Sequence, residues 1–233
     1  MARPANLDEL LDEVEAHLER DELENARVAL AKAQALAGVD DPDTLYAEAC
    51  LAWQETGPAA AAPLLTRVLT LDPGHADAHY ARARAAEEDG QHALAIEHDL
   101  HVLRLDARQA RESRLATPAR LERIEQVAYE VLHGLPEPFA ERLAHVPVVL
   151  EARPTPDLVR SGFDPRALGL FEGPTHGDTS TVAPTRIVLY THNLLADFPE
   201  QAELESEIEI TLLHEIGHFF GLEEADMERL GLD

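Results

Sequence analysis

Cysteine is almost missing from this chain of 233 residues: Cys50 stands alone, which excludes an internal disulfide, a CxxC redox pair and a cysteine-based zinc knuckle. Lysine is as scarce. Lys32 is the only one and sits between two alanines, so no Gly-Lys-Ser/Thr phosphate loop is present. Neither GxSxG nor GxGxxG occurs, which removes the nucleophile elbow and the dinucleotide fingerprint. Positive charge is short throughout: 19 Lys+Arg against 45 Asp+Glu leave a net charge of −26. Such a chain repels phosphates, so nucleic acids and anionic membranes are excluded as expected partners. No apolar run approaches the length of a membrane span, and the first residues, Met-Ala-Arg-Pro-Ala-Asn-Leu-Asp-Glu, lack the apolar stretch of a signal peptide. A cytoplasmic protein is therefore expected. The 45% hydrophobic fraction suffices for packed cores, so the acidity does not imply disorder.

What is present changes character near the middle of the chain. Residues 1–112 read as one helix after another. Apolar positions recur at spacings of three and four, as in Leu7, Leu10, Leu11, Val14 and Leu18, then Leu23, Ala26, Leu30 and Ala33. Breaks fall at Gly38–Pro42, Gly57-Pro58, Asp72-Pro73-Gly74 and Asp89-Gly90. Small residues repeat across these breaks: Ala61 and Ala95 are 34 apart (95 − 61), as are Ala49 and Ala83 (83 − 49). That is the tetratricopeptide period. Residues 42–73 and 76–107 resemble two such repeats and residues 7–38 a degenerate first copy. The alanines are expected where paired helices nearly touch. A generic alanine-rich bundle is the plainer alternative.

Arg108, Arg111 and Arg114 mark the end of the last of these helices or a connector. Thr117-Pro118 then supplies an N-cap with proline at the first helical position. A helix is expected to about His133, stopped by Gly134, with Leu121, Ile124, Ala128, Val131 and Leu132 as its buried stripe. Beyond it the periodicity becomes β-like. Val146–Glu151 and Arg186–Tyr190 read as strands, with a third, short one near Leu168–Glu172. From about Pro199 to Gly221 a long helix returns, apolar on more than one face and so expected to be buried. Its early acidic run, Asp197, Glu200, Glu203, Glu205, Glu207 and Glu209, is expected to be solvated.

That helix contains His214-Glu215-Ile216-Gly217-His218. Histidines four apart project from one face, one turn from each other, and two nitrogens so placed can reach one metal ion at about 2 Å each. Glu215 is rotated about 100° from His214. It is badly placed as a third ligand on the same helix but well placed as a general base toward zinc-activated water. Histidines and a glutamate on an apolar helix are costly without a partner; a solvated helix face is the bland alternative. Only 15 residues follow His218 (233 − 218), too few for a ligand on a helix well downstream. A turn at Gly221 is needed to bring one of the following carboxylates, Glu223, Glu224, Asp226, Glu228 or Asp233, back to the metal.

His-Glu-Ile-Gly-His-Phe-Phe-Gly-Leu-Glu-Glu resembles the HExxHxxGxxD signature of the minimal zincin-like metallopeptidases, a family of small bacterial domains. The resemblance runs over residues 117–233. It takes in Gly134-Leu135-Pro136, Val146–Glu151, Gly169-Leu170-Phe171-Glu172-Gly173, Arg186–Tyr190 and Asp226–Gly231. It implies a small α+β zincin fold with the active helix under a short sheet, Zn2+ as cofactor, His214 and His218 as ligands and Glu215 as general base. The signature's aspartate position is occupied by Glu224, one methylene longer and still an oxygen donor; Asp226 is the fallback. Phe219 stands where a third histidine is common and Phe171 where tyrosine is common.

Tyr190, His192 and His176 are candidates by type for stabilising an oxyanion, with Tyr190 expected to pack in the sheet and His176 in a solvated loop. A rival metal site would use His98 and His101 with His92 nearby, although surface histidines on a repeat helix are common. The expected architecture is α+β: tetratricopeptide-like helical repeats over 1–112, then a zincin-like domain over 117–233. The expected function is zinc-dependent hydrolysis of peptide bonds, with the repeats recruiting a protein substrate or partner. The alternative is a non-catalytic interaction protein with a structural or degenerate zinc site.

Overall fold

The computed structural model describes residues 6–174 and 185–230. An all-α N-terminal region is followed by a small α+β region. The chain divides into two compact units, Met1–Leu105 with Val159–Gly162, and Asp106–Leu158 with Phe163–Asp233.

The first unit holds α1(Leu7–Glu19), α2(Leu23–Ala37), α3(Pro42–Thr56), α4(Pro58–Leu71), α5(Ala76–Glu88) and most of α6(His92–Ser113). Each helix starts or stops where the local chemistry requires. Asp41 caps α3 by accepting from the Asp43 and Thr44 N–H groups, with Pro42 at the first helical position. Gly57, at a φ of 100°, closes α3 and opens α4. Helix α1 packs on α2 and α3 on α4, while α2 meets α3 and α4 meets α5. The alanines at the recurring positions, Ala26, Ala49, Ala61, Ala83 and Ala95, are all buried, each in a cluster where helices approach closely. Cys50 is half-buried, and burial pushes its thiol up to about 11.

The second unit begins inside α6 and continues through α7(Pro118–Gly134), α8(Glu137–Leu143), β1(Val148–Glu151), β2(Gly169–Glu172), β3(Arg186–Tyr190), α10(Thr191–Asp197), α11(Gln201–Phe219) and α12(Glu224–Leu230), with α9(Pro156–Arg160) between β1 and β2. Thr117 caps α7 through its hydroxyl, which accepts from the Arg120 N–H. Gly134 is not the stop residue beyond α7 but its last helical residue. The chain leaves the helix at Leu135, held extended at ψ 144° because the ring of Pro136 excludes the helical conformation before it. Strand β1 starts two residues later than the apolar run suggested. Pro147 has no N–H to donate, although its carbonyl accepts from Ile187.

The sheet order is β1-β3-β2, with β1 parallel and β2 antiparallel to β3. Helix α11 packs against β2, β3, α7 and α10. Ile124 of α7, Ile187 and Leu189 of β3, Leu194 and Leu195 of α10, and Ile208 and Leu212 of α11 are fully buried between these layers. Each such side chain contributes about 2 kcal/mol over leaving it in water. The expected stripe of α7 shifts slightly: Ile124, Val127 and Ala128 are buried, whereas Leu121, Val131 and Leu132 are half-buried against the same core. The early acids of α11 are mostly solvated. Glu205 departs from that pattern, accepting from the Arg123 guanidinium of α7 at 2.8 Å, which holds its carboxyl down at about 2.

A buried polar network fixes the loop ahead of β2. Asp106 takes two contacts from Arg166, at 2.9 and 3.2 Å, and lies 3.8 Å from Arg153. Arg153 in turn donates to Asn193. The Asn193 amide donates to the Pro165 and Ala167 carbonyls at 3.0 and 2.7 Å. This tethers residues 165–167 to α10, and Ala167 forms part of the wall described next.

Candidate metal centre

The site grows from α11. His214 and His218 are one turn apart and half-buried, with their Nε2 atoms 2.9 Å from each other. Two ring nitrogens meeting this way repel unless one carries a proton or both face a cation. The Glu224 carboxylate completes the group: one oxygen is 3.3 Å from His218 Nε2 and the other 3.8 Å from His214 Nε2. Tetrahedral zinc with bonds of about 2.0–2.1 Å requires ligand atoms about 3.3 Å apart. The observed separations of 2.9, 3.3 and 3.8 Å bracket that distance. Among the described residues, His214, His218 and Glu224 are the group of three able to hold a metal ion.

Glu224 reaches the histidines because α11 ends abruptly. Gly221 takes a φ of 80°, the left-handed conformation that an L side chain resists. Its N–H donates to the His218 carbonyl, and the Leu222 N–H donates to the Gly217 carbonyl, both at 3.0 Å. This 5→2 and 6→1 pair is a Schellman closure. It reverses the chain, so that α12 begins with Glu224 beside the histidines. Helix α12 is locked underneath by Met227, which is fully buried. A Cβ on Gly217 would sit 2.3 Å from the Met227 Cε and 2.6 Å from its Sδ, so any larger residue there forces the Met227 side chain to shift. Asp226 is engaged elsewhere, pairing with Arg229 at 2.7 Å, and is outside the cluster. His176 and Asp233 lie outside the described residues.

Glu215 is on the inner side of α11 and buried. Burial pushes its carboxyl up to about 7; the adjacent His214 and the Phe171 N–H draw it back down, and the negative Glu224 adds to the rise. The contact with β2 follows from the register. The Tyr190 N–H donates to the Leu168 carbonyl, so in this antiparallel pair alternate residues 168, 170 and 172 turn their backbone to β3. Phe171 therefore points its N–H away from the sheet and toward Glu215. The approach is close enough that a Cβ on Gly169 would lie 2.8 Å from both the Glu215 Oε1 and the Thr211 Cγ2.

An open cleft of about 770 Å³ covers the group. One side is Gly169, Leu170 and Phe171 of β2; the other is Gly221, Leu222 and Glu223 of the turn, with His214, Glu215 and His218 between. Phe171 and Phe219 meet edge to face with ring centres 5.9 Å apart, so the two phenylalanines at positions where polar residues were anticipated form one apolar contact. Tyr190 is buried in the sheet as expected, and burial raises its hydroxyl above its ordinary value. Neither it nor His192 lines the cleft. The histidines of α6 form no second metal-ligand group among the described residues: His98 Nδ1 lies 2.8 Å from His79 Nδ1, His101 stacks on His79, and His92 is exposed. The described residues place no metal-holding group there.

Residues 143–232 match the family model of the zincin-like metallopeptidases. No curated protein matches the chain. The zincin-like segment takes in the sheet, α11 and α12; α7, which the resemblance had extended to, lies outside the matched residues. Among the described residues, no helix is long and apolar enough to cross a membrane. Three roles at the site are not legible in the sequence: the close approach of Gly169 to Glu215, the packing of Gly217 on Met227, and the Asp106–Arg153–Asn193 network. The short-chain signal available for the first two was a glycine inside a strand and one inside a helix, positions where glycine otherwise costs stability.

Proposed function

We propose that this chain is a zinc-dependent metallopeptidase whose ligands are His214, His218 and Glu224 and whose general base is Glu215. The observation that carries the reading is the convergence of His214, His218 and Glu224 at the floor of an open cleft, with Glu215 beside them. His214, His218 and Glu224 would hold the ion with three protein ligands from among the described residues, and all three line the open cleft, a donor number that suits a catalytic site better than a closed structural one. When bound, zinc supplies a Lewis acid that polarises a carbonyl and acidifies water. Glu215 takes a proton from the attacking water as its oxygen bonds to the scissile carbonyl carbon. It returns that proton to the departing amine nitrogen as the C–N bond breaks, so the carboxylate ends as it began. Burial favours this role, because it makes the carboxylate a stronger base than one in water. Gly169 holds Phe171 close enough to orient it. The outer edge of β2, which has only β3 as neighbour among the described residues, offers backbone groups to an extended peptide.

The helical unit is assigned recruitment of a protein substrate or partner. Its buried alanines at matching positions in successive helices suit a tetratricopeptide-like array. The deciding experiment is zinc content and peptide hydrolysis measured on the wild type and Glu215→Gln. Glu215→Gln retains one zinc per chain and loses at least a hundredfold in turnover; equal turnover in the two proteins refutes the mechanism.

A further inference from the structure

Resting on the peptidase reading, we propose that the cleft selects peptides carrying a lysine or arginine side chain beside the bond it holds, and that Glu223 is the residue that pairs with it. The cleft wall is of two kinds. Phe163, Leu170, Phe171 and Leu222 are apolar; the ionisable carboxylates are Glu215, Glu223 and Glu224; and neither lysine nor arginine lines it. Two of the three carboxylates have assigned work, Glu224 beside the histidines and Glu215 buried beneath them. Glu223 is exposed. Its backbone N–H approaches Asp226 at 3.5 Å, but its carboxylate has no ion-pair partner among the described residues. The arginines on flanking elements are taken: Arg229 by Asp226 at 2.7 Å, and Arg186 by Glu151 at 2.9 Å and by Glu172.

An apolar wall beside an exposed carboxylate outside the proposed ligand group suits a guest with a long aliphatic stem and a cationic end. Lysine and arginine are the side chains built that way. The net charge of −26 acts in the same direction at long range, drawing cationic peptides in and holding acidic ones off. An ion pair with an exposed carboxylate discriminates by about threefold.

The test is equilibrium binding, so that it does not depend on turnover. Full-length zinc-loaded Glu215→Gln is titrated, by fluorescence anisotropy, into peptides bearing a neutral dye. They differ at one residue, lysine, norleucine or glutamate, walked through the positions on either side of the centre. The lysine peptide is expected to bind about threefold more tightly than the norleucine peptide at one position, and the glutamate peptide most weakly. Salt narrows the gap. Glu223→Gln in the same background brings lysine and norleucine together, and Glu223→Lys reverses the order in favour of glutamate; zinc content of each variant confirms that the ligand group is intact. Equal binding of lysine and norleucine at every position, no binding of any peptide, or a lysine preference that survives Glu223→Gln overturns the assignment. The two readings fail separately. Wild type that hydrolyses all peptides alike removes the selectivity and leaves the peptidase. Lysine-selective binding that depends on Glu223, with no hydrolysis by zinc-loaded wild type, removes the peptidase and leaves the selectivity.

Discussion

Replacing Gly217 by alanine tests the way α12 is held beneath the metal-ligand group. The added Cβ falls 2.3 Å from the Met227 Cε and 2.6 Å from its Sδ, where carbon contacts are comfortable only beyond about 3.5 Å. Roughly 1 Å of movement is therefore required. Met227 is fully buried, so it cannot swing into solvent without unpacking. Overpacking of this kind costs about 1–3 kcal/mol, and alanine in place of glycine inside a helix returns about 1 kcal/mol. The net loss of stability is thus at most about 2 kcal/mol, and the protein stays folded. The larger consequence is at the proposed metal-ligand group. Met227 lies three residues after Glu224 on the same short helix, so its displacement moves the carboxylate away from His214 and His218. Zinc affinity, measured by competition with a chromophoric chelator, is expected to fall by 10- to 100-fold. Met227→Ala in the same chain relieves the overlap, so the double variant binds zinc more tightly than Gly217→Ala alone, a coupling that a double-mutant cycle isolates. Wild-type zinc affinity in Gly217→Ala, or an equal loss with and without Met227, refutes the reasoning.

Two further outcomes follow from distances in the fold. Gly169→Ala places a Cβ 2.8 Å from the Glu215 Oε1; it should lower turnover tenfold or more by displacing the base while zinc stoichiometry stays at the wild-type value, and loss of zinc or unchanged turnover tells against the geometry. In the helical unit, burial, then His79, Arg82 and His101, hold His98 down at about 4 from 6.5. Between those values the unfolded chain binds a proton that the folded chain does not, so stability falls as pH drops through the window and levels off below it. Because the ring is only half-buried, solvent screening reduces the fall to about 1 kcal/mol. Urea unfolding near pH 7 and near pH 4.5 should show a smaller loss for His98→Asn than for wild type; equal losses refute the assignment to His98.

Much of the fold is legible in the sequence because its signals are local. The period of three and four in residues 7–33, the Pro42, Pro58 and Pro118 helix starts, and the Arg186–Tyr190 run each specify an element with its neighbours alone, and each is found. The proposed metal-ligand group is half legible. His214 and His218 share a face by helix geometry, whereas Glu224 becomes the neighbour of both only through the turn at Gly221, and a spacing pattern cannot choose it over Asp226 without that turn's direction. Gly134 misled because a glycine near a helix end and a proline two residues later give the same signal, and the steric exclusion before Pro136 decides where the helix stops. Gly169, Gly217 and Asn193 are unreadable for a different reason. Their roles are set by Glu215, Met227 and Arg153, at sequence distances of 46, 10 and 40 residues (215 − 169, 227 − 217, 193 − 153), and no local period encodes such pairings.

The division of the three proposed ligands between two helices has its own consequence. His214 and His218 are carried by a helix buried against the sheet and α7, so their spacing is fixed by the core. Glu224 heads a seven-residue helix and is 72% exposed, so its position depends on the Schellman closure at Gly221 and on Met227 below. A helix that short has little stability of its own. The two histidines therefore form a half-site preset by folding, and the third ligand is held by a few contacts in a turn. Zinc affinity at the proposed site is therefore expected to depend on the stability of this turn as well as on the donor atoms.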